Sequence, residues 1–178
     1  MRKKNSRRLF EQLEVLDAGA KGKTVAKAPD GRVIFLTNAV PGDVVDVQTT
    51  KKRKAYYEGT PVHFHRLSPK RTSPKCKHFG TCGGCKWQHM SYEHQLAYKQ
   101  QEVTNNLIRI GHLSLPEISP IIGSKKRYFY RNKMEFSFSN SRWLTLEEIN
   151  SDEDIQEKNA LGFHIPGIPT PFAEFSKL

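Results

Sequence analysis

The chain has 178 residues, enough for one ordinary domain or two small ones, and its 29 Lys+Arg against 18 Asp+Glu give a net charge of +11 and a pI near 9.7. The excess is uneven: residues 1–75 hold 17 basic and 7 acidic side chains, residues 76–145 hold 10 and 4, and residues 146–178 hold 2 and 7, so the positive field belongs to the first two thirds, where it draws phosphate backbones. No run of about 18 apolar residues is present, which excludes a membrane-spanning helix, and no apolar stretch follows the basic start Met1–Arg8, which argues against a secretory signal and for a cytoplasmic protein.

Residues 1–8 read as a disordered basic arm. From residue 9 the chain alternates polar and apolar side chains between turn signals. Leu9 to Leu16 reads as a strand, Gly19 to Gly22 as a turn, and Thr24 to Lys27 as a short strand. Pro29-Asp30-Gly31 is a hairpin turn, Val33 to Leu36 a buried strand, and Pro41-Gly42-Asp43 another turn. Val44, Val45 and Val47 open a fourth strand, and Tyr56 to Leu67 supply a fifth. Five short strands without a helical period predict a small closed barrel of OB type over residues 9–67. Within it, Lys51-Lys52-Arg53-Lys54 is followed by Tyr56-Tyr57. Consecutive cations can track a phosphate backbone, and a neighbouring aromatic can stack on an unpaired base. Strand alternation turns one of the two tyrosines inward.

Residues 68–90 form a Pro/Ser/basic linker and then a cysteine segment. Cys76, Cys82 and Cys85 follow a C-x5-C-x2-C spacing, with Gly83 and Gly84 relieving the crowding in a loop that must wrap tightly. Three cysteines in ten residues, without an export signal, read as a metal or cluster site rather than a disulfide framework. His89 offers a fourth ligand, C-x5-C-x2-C-x3-H, for a Cys3His zinc site. On spacing alone, zinc and iron–sulfur are both open.

Ser91 is placed to cap a helix whose apolar face is Leu96, Val103, Leu107 and Ile110, with Glu93 suited to its positive end and Gly111 as its stop. Tyr128 to Ser139 reads as an aromatic-rich strand that includes the second basic–aromatic mixture, Lys125 to Lys133. Tyr128, Arg131 and Lys133 are its candidate RNA contacts, beside Lys51, Lys52, Arg53, Lys54 and Tyr56 in the barrel. Residues 147–158 are acidic, a surface loop or frayed helix. No strand–glycine turn–helix cradle for a cofactor and no Ser/His/Asp arrangement is legible, so no catalytic residue is assigned.

Residues 9–67 resemble a TRAM domain, notably in Gly22-Lys23-Thr24-Val25-Ala26, Asp30-Gly31-Arg32-Val33-Ile34-Phe35 and Val40-Pro41-Gly42-Asp43. The stretch Cys76 to His89 resembles the cluster region of bacterial 23S ribosomal RNA uracil-5-methyltransferases. Tyr130-Arg131-Asn132-Lys133-Met134-Glu135-Phe136 and Leu161-Gly162-Phe163-His164 are similar to the start of their central RNA-binding domain. The resemblance implies a mainly β fold with some α: the barrel, a cysteine loop, a helix, and the start of an α/β central domain over residues 91–167. It assigns Cys76, Cys82 and Cys85 to a [4Fe–4S] cluster closed by a fourth cysteine downstream. It also implies a C-terminal domain that binds S-adenosylmethionine and methylates uracil C5. Residues 168–178 depart from that pattern, with neither a fourth cysteine nor a methyltransferase domain. The expectation is therefore a truncated, RNA-binding N-terminal portion, inactive in methyl transfer alone, monomeric, with ribosomal RNA as its partner and no DNA specificity. The alternative is a free-standing RNA-binding protein with a Cys3His zinc site.

Overall fold

A computed structural model describes residues 7–80, 83–141, 144, 149–151, 154, 156, 159–164 and 172–174. The chain divides into two compact units, one of Met1–Pro74 with Lys86–Gly123 and one of Lys75–Cys85 with Ser124–Leu178.

The first unit is built on β1 (Leu9–Ala18), β2 (Thr24–Lys27), β3 (Val33–Leu36), β4 (Val44–Lys52) and β5 (Tyr56–Arg66). They close in the order β1-β2-β3-β5-β4, an OB-like barrel as the alternation predicts. Neighbours are antiparallel except β3 and β5, which run parallel with Val33 opposite Tyr56 and Phe35 opposite Glu58. Alternation along each strand sends Val15, Ala26, Ile34, Leu36, Val45, Val47 and Tyr57 into one buried core. Burying such aliphatic side chains contributes roughly 1.5–3 kcal/mol each relative to exposure. Tyr57 is thus the inward member of the tyrosine pair. It donates its hydroxyl hydrogen to Asp30 Oδ2 at 2.8 Å, while the Arg32 guanidinium lies over its ring at 4.4 Å. Hydrogen bonds from Arg32 first, and from Tyr57 next, hold the Asp30 carboxyl well below the usual carboxylate range. The Pro-Asp-Gly turn is therefore tied to the barrel interior by a side-chain clamp.

The turn before β4 anchors everything that follows. Asp43 is fully buried, and its carboxylate accepts from the Val40 and Ser68 backbone N–H groups at 2.6 and 2.8 Å. Arg71 adds a two-pronged contact, Nε to Oδ1 at 2.8 Å and Nη2 to Oδ2 at 2.7 Å. Gly42 sits at φ +97°, and a Cβ there would fall 2.9 Å from Ser68 Oγ, so both the turn and the close approach require glycine. The proline- and serine-rich stretch after β5 is in this way strapped to the barrel.

That strap carries the next segment. Thr72 N–H donates to the His89 carbonyl and Ser91 N–H to the Lys70 carbonyl, and Met90 is buried against Ala18 and Val40 with Trp87 and Tyr98 packed beside it. His89 is itself buried, with Nε2 3.3 Å from the Ala39 carbonyl. Burial first, and the Arg71 charge second, depress its pKa.

Helix α1 (Tyr92–Arg109) begins after Ser91 as its sequence suggests, but its cap differs from expectation. The Ser91 hydroxyl makes no backbone cap; it pairs with His94 Nδ1 at 2.7 Å, a side-chain partner one turn along. The periodic apolar face is only partly covered: Leu96 and Leu107 are half-buried, with Leu96 close to Gly123. The helix meets the rest of its unit through Gln95, which donates to the Trp87 and Met90 carbonyls, and through Tyr98, whose hydroxyl lies 2.7 Å from Lys70 Nζ. Val103 and Ile110 remain exposed. Directional polar contacts and a partly covered apolar stripe thus share this helix. Gly111 follows the helix end, where a Cβ would lie 2.7 Å from the Leu107 carbonyl oxygen; the left-handed residue is His112, at φ 51°. No helix among the described residues is long and apolar enough to cross a membrane.

In the second unit, β6 (Ser137–Ser139), β7 (Ala160–His164) and β8 (Phe172–Glu174) form an antiparallel sheet in that order. The strand expected from Tyr128 to Ser139 shrinks to its last three residues. Residues 128–136 are irregular, with Phe129 at φ 53°, a backbone conformation outside the strand region; β-propensity depends on context. Most of the acidic stretch 147–158 lies outside the described residues.

Two measurements check this account. Arg71→Met strands a buried carboxylate and lowers the unfolding free energy in urea by about 3 kcal/mol; a loss within experimental error would show that the backbone donors suffice alone. The depressed His89 pKa means that the unfolded chain binds the proton more readily, so this contribution is complete above about pH 6.5 and declines as the pH falls below it. The melting temperature of the wild type should therefore drop on acidification towards about pH 5.5, and His89→Gln should lose part of that drop. An identical drop in the variant would assign it to another group.

Candidate nucleic-acid interface and cysteine loop

The sequence-predicted cations lie where β4 turns into β5. Lys51 and Lys52 end β4, Arg53 and Lys54 form the turn, and all four are exposed. The turn is closed by Arg53 N–H donating to the Tyr56 carbonyl at 2.9 Å. Tyr56 opens β5 on the outer face and packs edge-on against Phe35 of β3, centroids 5.3 Å apart, because the parallel β3–β5 register sets these strands side by side. In OB barrels, the outer face of strands 2 and 3 and the loops joining strands 1–2 and 4–5 hold single-stranded nucleic acids.

Pairing also gathers residues that sequence reasoning missed. Lys23, just before β2, places its ammonium 5.8 Å from the Phe35 ring centroid and 3.6 Å from Glu58 Oε2; Lys51 Nζ is 3.8 Å from the same oxygen. A partly buried carboxylate thus pairs with two lysines, one of which lies over the Phe35 ring. Such surface pairs add little stability but do fix where the charges stand. Their signal was available in principle: Phe35 and Glu58 fall on the outward phase of their strands, once the β3–β5 pairing is known.

The second group of candidates belongs to the other unit. Lys75 Nζ lies 4.9 Å from the Tyr128 ring centroid and 4.6 Å from that of Phe129, and both rings are solvent-facing. Arg131 Nη2 reaches the Gly84 carbonyl at 3.5 Å, linking the basic–aromatic segment to the cysteine loop, while Lys133 pairs with Glu135 in open solvent at 2.9 Å.

Cys76 and Cys85 are exposed at the two ends of the loop, and Cys82 lies outside the described residues. Phe79 N–H donates to the Cys76 carbonyl at 3.2 Å, and Gly80 follows at φ +94°, so the chain curls after the first cysteine. Among the described residues no three His, Cys, Asp or Glu side chains converge as a metal cage. His89, the sequence candidate for a fourth zinc ligand, belongs to the barrel unit and is packed there against Ala39.

No family model matches the chain. It is 56% identical over 148 residues to an uncharacterized RNA methyltransferase of Bacteroides thetaiotaomicron, covering 83% of this chain and 32% of that protein. An uncharacterized RNA methyltransferase of Porphyromonas gingivalis is 43% identical over 159 residues, 88% of this chain and 34% of the relative. The 23S rRNA (uracil(1939)-C(5))-methyltransferase RlmD of Stenotrophomonas maltophilia is 38% identical over 129 residues, 71% of this chain and 29% of the relative. The chain therefore spans about a third of the length of the curated relatives it matches. Over that third, with its closed barrel and the cysteine loop that follows, the chain belongs to the RNA methyltransferase family that includes the 23S rRNA uracil-C5 methyltransferases.

Proposed function

We propose that this chain is the RNA-holding part of a 23S rRNA uracil-C5 methyltransferase of the cytoplasm, and that its barrel grips single-stranded or loop RNA. The observation that carries the reading is the exposed Lys51–Lys54 turn beside the Phe35–Tyr56 pair on the outer face of a closed OB-like barrel. The cations meet phosphates, and the aromatic pair offers π surface to a base. Tyr128, Arg131 and Lys133 form a second contact region in the other unit. Methyl transfer from S-adenosylmethionine is assigned to the part of the relatives that this chain does not match, and no catalytic residue is placed here.

Cys76, Cys82 and Cys85 are proposed as three ligands of a [4Fe–4S] cluster. The donor set suits iron in kind, since soft thiolates hold such clusters, and it supplies three of the four corners. The curl at Cys76–Gly80 and the exposure of Cys76 and Cys85 leave those thiols accessible. Such a cluster would brace the loop, and the Arg131 contact at Gly84 would pass that order to the basic–aromatic segment.

Fluorescence anisotropy with an unstructured RNA oligonucleotide tests the barrel. Replacing Lys51, Lys52, Arg53 and Lys54 by Ala should weaken binding and flatten the plot of log affinity against log salt by up to about 3, given roughly 0.7 per neutralised phosphate of a single strand. Glu58→Gln, which releases Lys23 and Lys51 from their carboxylate, should strengthen binding. An unchanged slope in the fourfold variant would move the RNA surface elsewhere. For the loop, anaerobic reconstitution followed by iron analysis should give bound iron that Cys82→Ala abolishes and His89→Ala leaves in place. One tightly held zinc lost in His89→Ala would establish the Cys3His alternative instead.

A further inference from the structure

We propose that the apolar surface formed by α1 and the segment returning beside it docks the polypeptide that the longer relatives carry beyond the matched third, whether joined to this chain or supplied as a separate one. The inference rests on the family membership, and it goes beyond RNA binding to an interface that the barrel does not use.

The returning segment is pinned to the helix by Gln100, whose side chain donates to the Ser119 carbonyl at 3.0 Å and accepts from Ile121 N–H at 2.5 Å. At its end, Gly123 approaches Leu96 so closely that a Cβ would lie 3.1 Å from Leu96 Cδ1. Helix and segment thus form one ledge. The ledge still leaves Val103, Ile110, Leu113, Ile118, Ile121 and Ile122 open to solvent, with Ile110 75% and Ile122 94% exposed. Large branched aliphatic residues grouped in this way mark an interaction surface, because each exposed methyl group forgoes transfer out of water.

The chemistry selects the occupant. RNA is recognised by cations and stacking rings, and this ledge presents aliphatic side chains. A polypeptide with its own apolar face fits, as in interfaces that resemble a domain core cut in half. The barrel is not that polypeptide, because α1 already meets its own unit through Gln95 and Tyr98. The relatives are about three times as long as the part matched here, so they carry a large further polypeptide for which an open apolar ledge offers a seat. The ledge is where this third exposes apolar surface on an ordered helix.

The test mixes the full chain with a separately expressed, folded and monodisperse fragment of the Bacteroides thetaiotaomicron relative, comprising the two thirds that the chain does not match. A one-to-one complex is expected in sedimentation velocity, with hydrogen exchange slowed across residues 96–123. The pair Val103→Glu and Ile110→Glu should weaken it by about tenfold or more, as loss of central apolar anchors does. Leu16→Glu, an exposed aliphatic on the barrel, should not. Circular dichroism and oligonucleotide binding of each variant separate misfolding from a lost interface, and they keep a failure here distinct from a failure of the RNA reading. No complex, a complex indifferent to the paired substitution, or a self-association of the wild type that this substitution abolishes would each overturn the proposal, the last in favour of a second copy of the chain.

Discussion

A carboxylate buried at the end of the barrel organises the first unit. Asp43 is out of contact with water, and an ion so placed is tolerable only when its lone pairs are filled. Two backbone donors and both prongs of Arg71 fill them. Meeting that demand draws Ser68 and Arg71 back over the barrel end, and the drawn-in strand becomes the edge on which Thr72 and Ser91 pair with neighbouring backbone. Met90 then closes over Val40, and α1 starts from a fixed point. The position of the helix is in this sense a consequence of satisfying one side chain of a turn forty-nine residues earlier.

The outer face works by a different balance. Cations gathered at one hairpin repel each other, and Glu58 offsets part of that repulsion by pairing with Lys23 and Lys51. Because Glu58 is only partly exposed while Lys51 projects into solvent, an incoming phosphate meets the cations before the carboxylate. A face of this kind binds polyanions readily and releases them as salt rises.

The helix shows how two kinds of surface divide one amphipathic element. Its glutamine and tyrosine side is fixed by directional hydrogen bonds to loop carbonyls and to Lys70, and its aliphatic side is half covered at Leu96 and Leu107 and exposed at Val103 and Ile110. A helix held through polar contacts keeps its orientation without consuming all of its apolar area, and the rest remains available for association.

Much of the barrel was legible in the chain because its physics is local. Alternating Val, Ile and Phe with Pro-Asp-Gly and Pro-Gly-Asp turns determines where strands begin and stop, and the period of two determines that Tyr57 rather than Tyr56 faces inward. The basic hairpin and the cysteine spacing were equally plain, since both lie in contiguous residues. What the sequence could not determine was pairing between distant segments. Lys23 and Phe35 join the candidate interface only through the β3–β5 register, His89 packs against Ala39, and residues 128–136 are irregular where the composition suggested a strand. The apolar stripe of α1 is legible as a pattern, but how far it is covered is not: Leu96 and Leu107 are partly buried and Val103 and Ile110 are exposed. Periodicity reports that a face is apolar, whereas the element that covers it is decided by tertiary contacts.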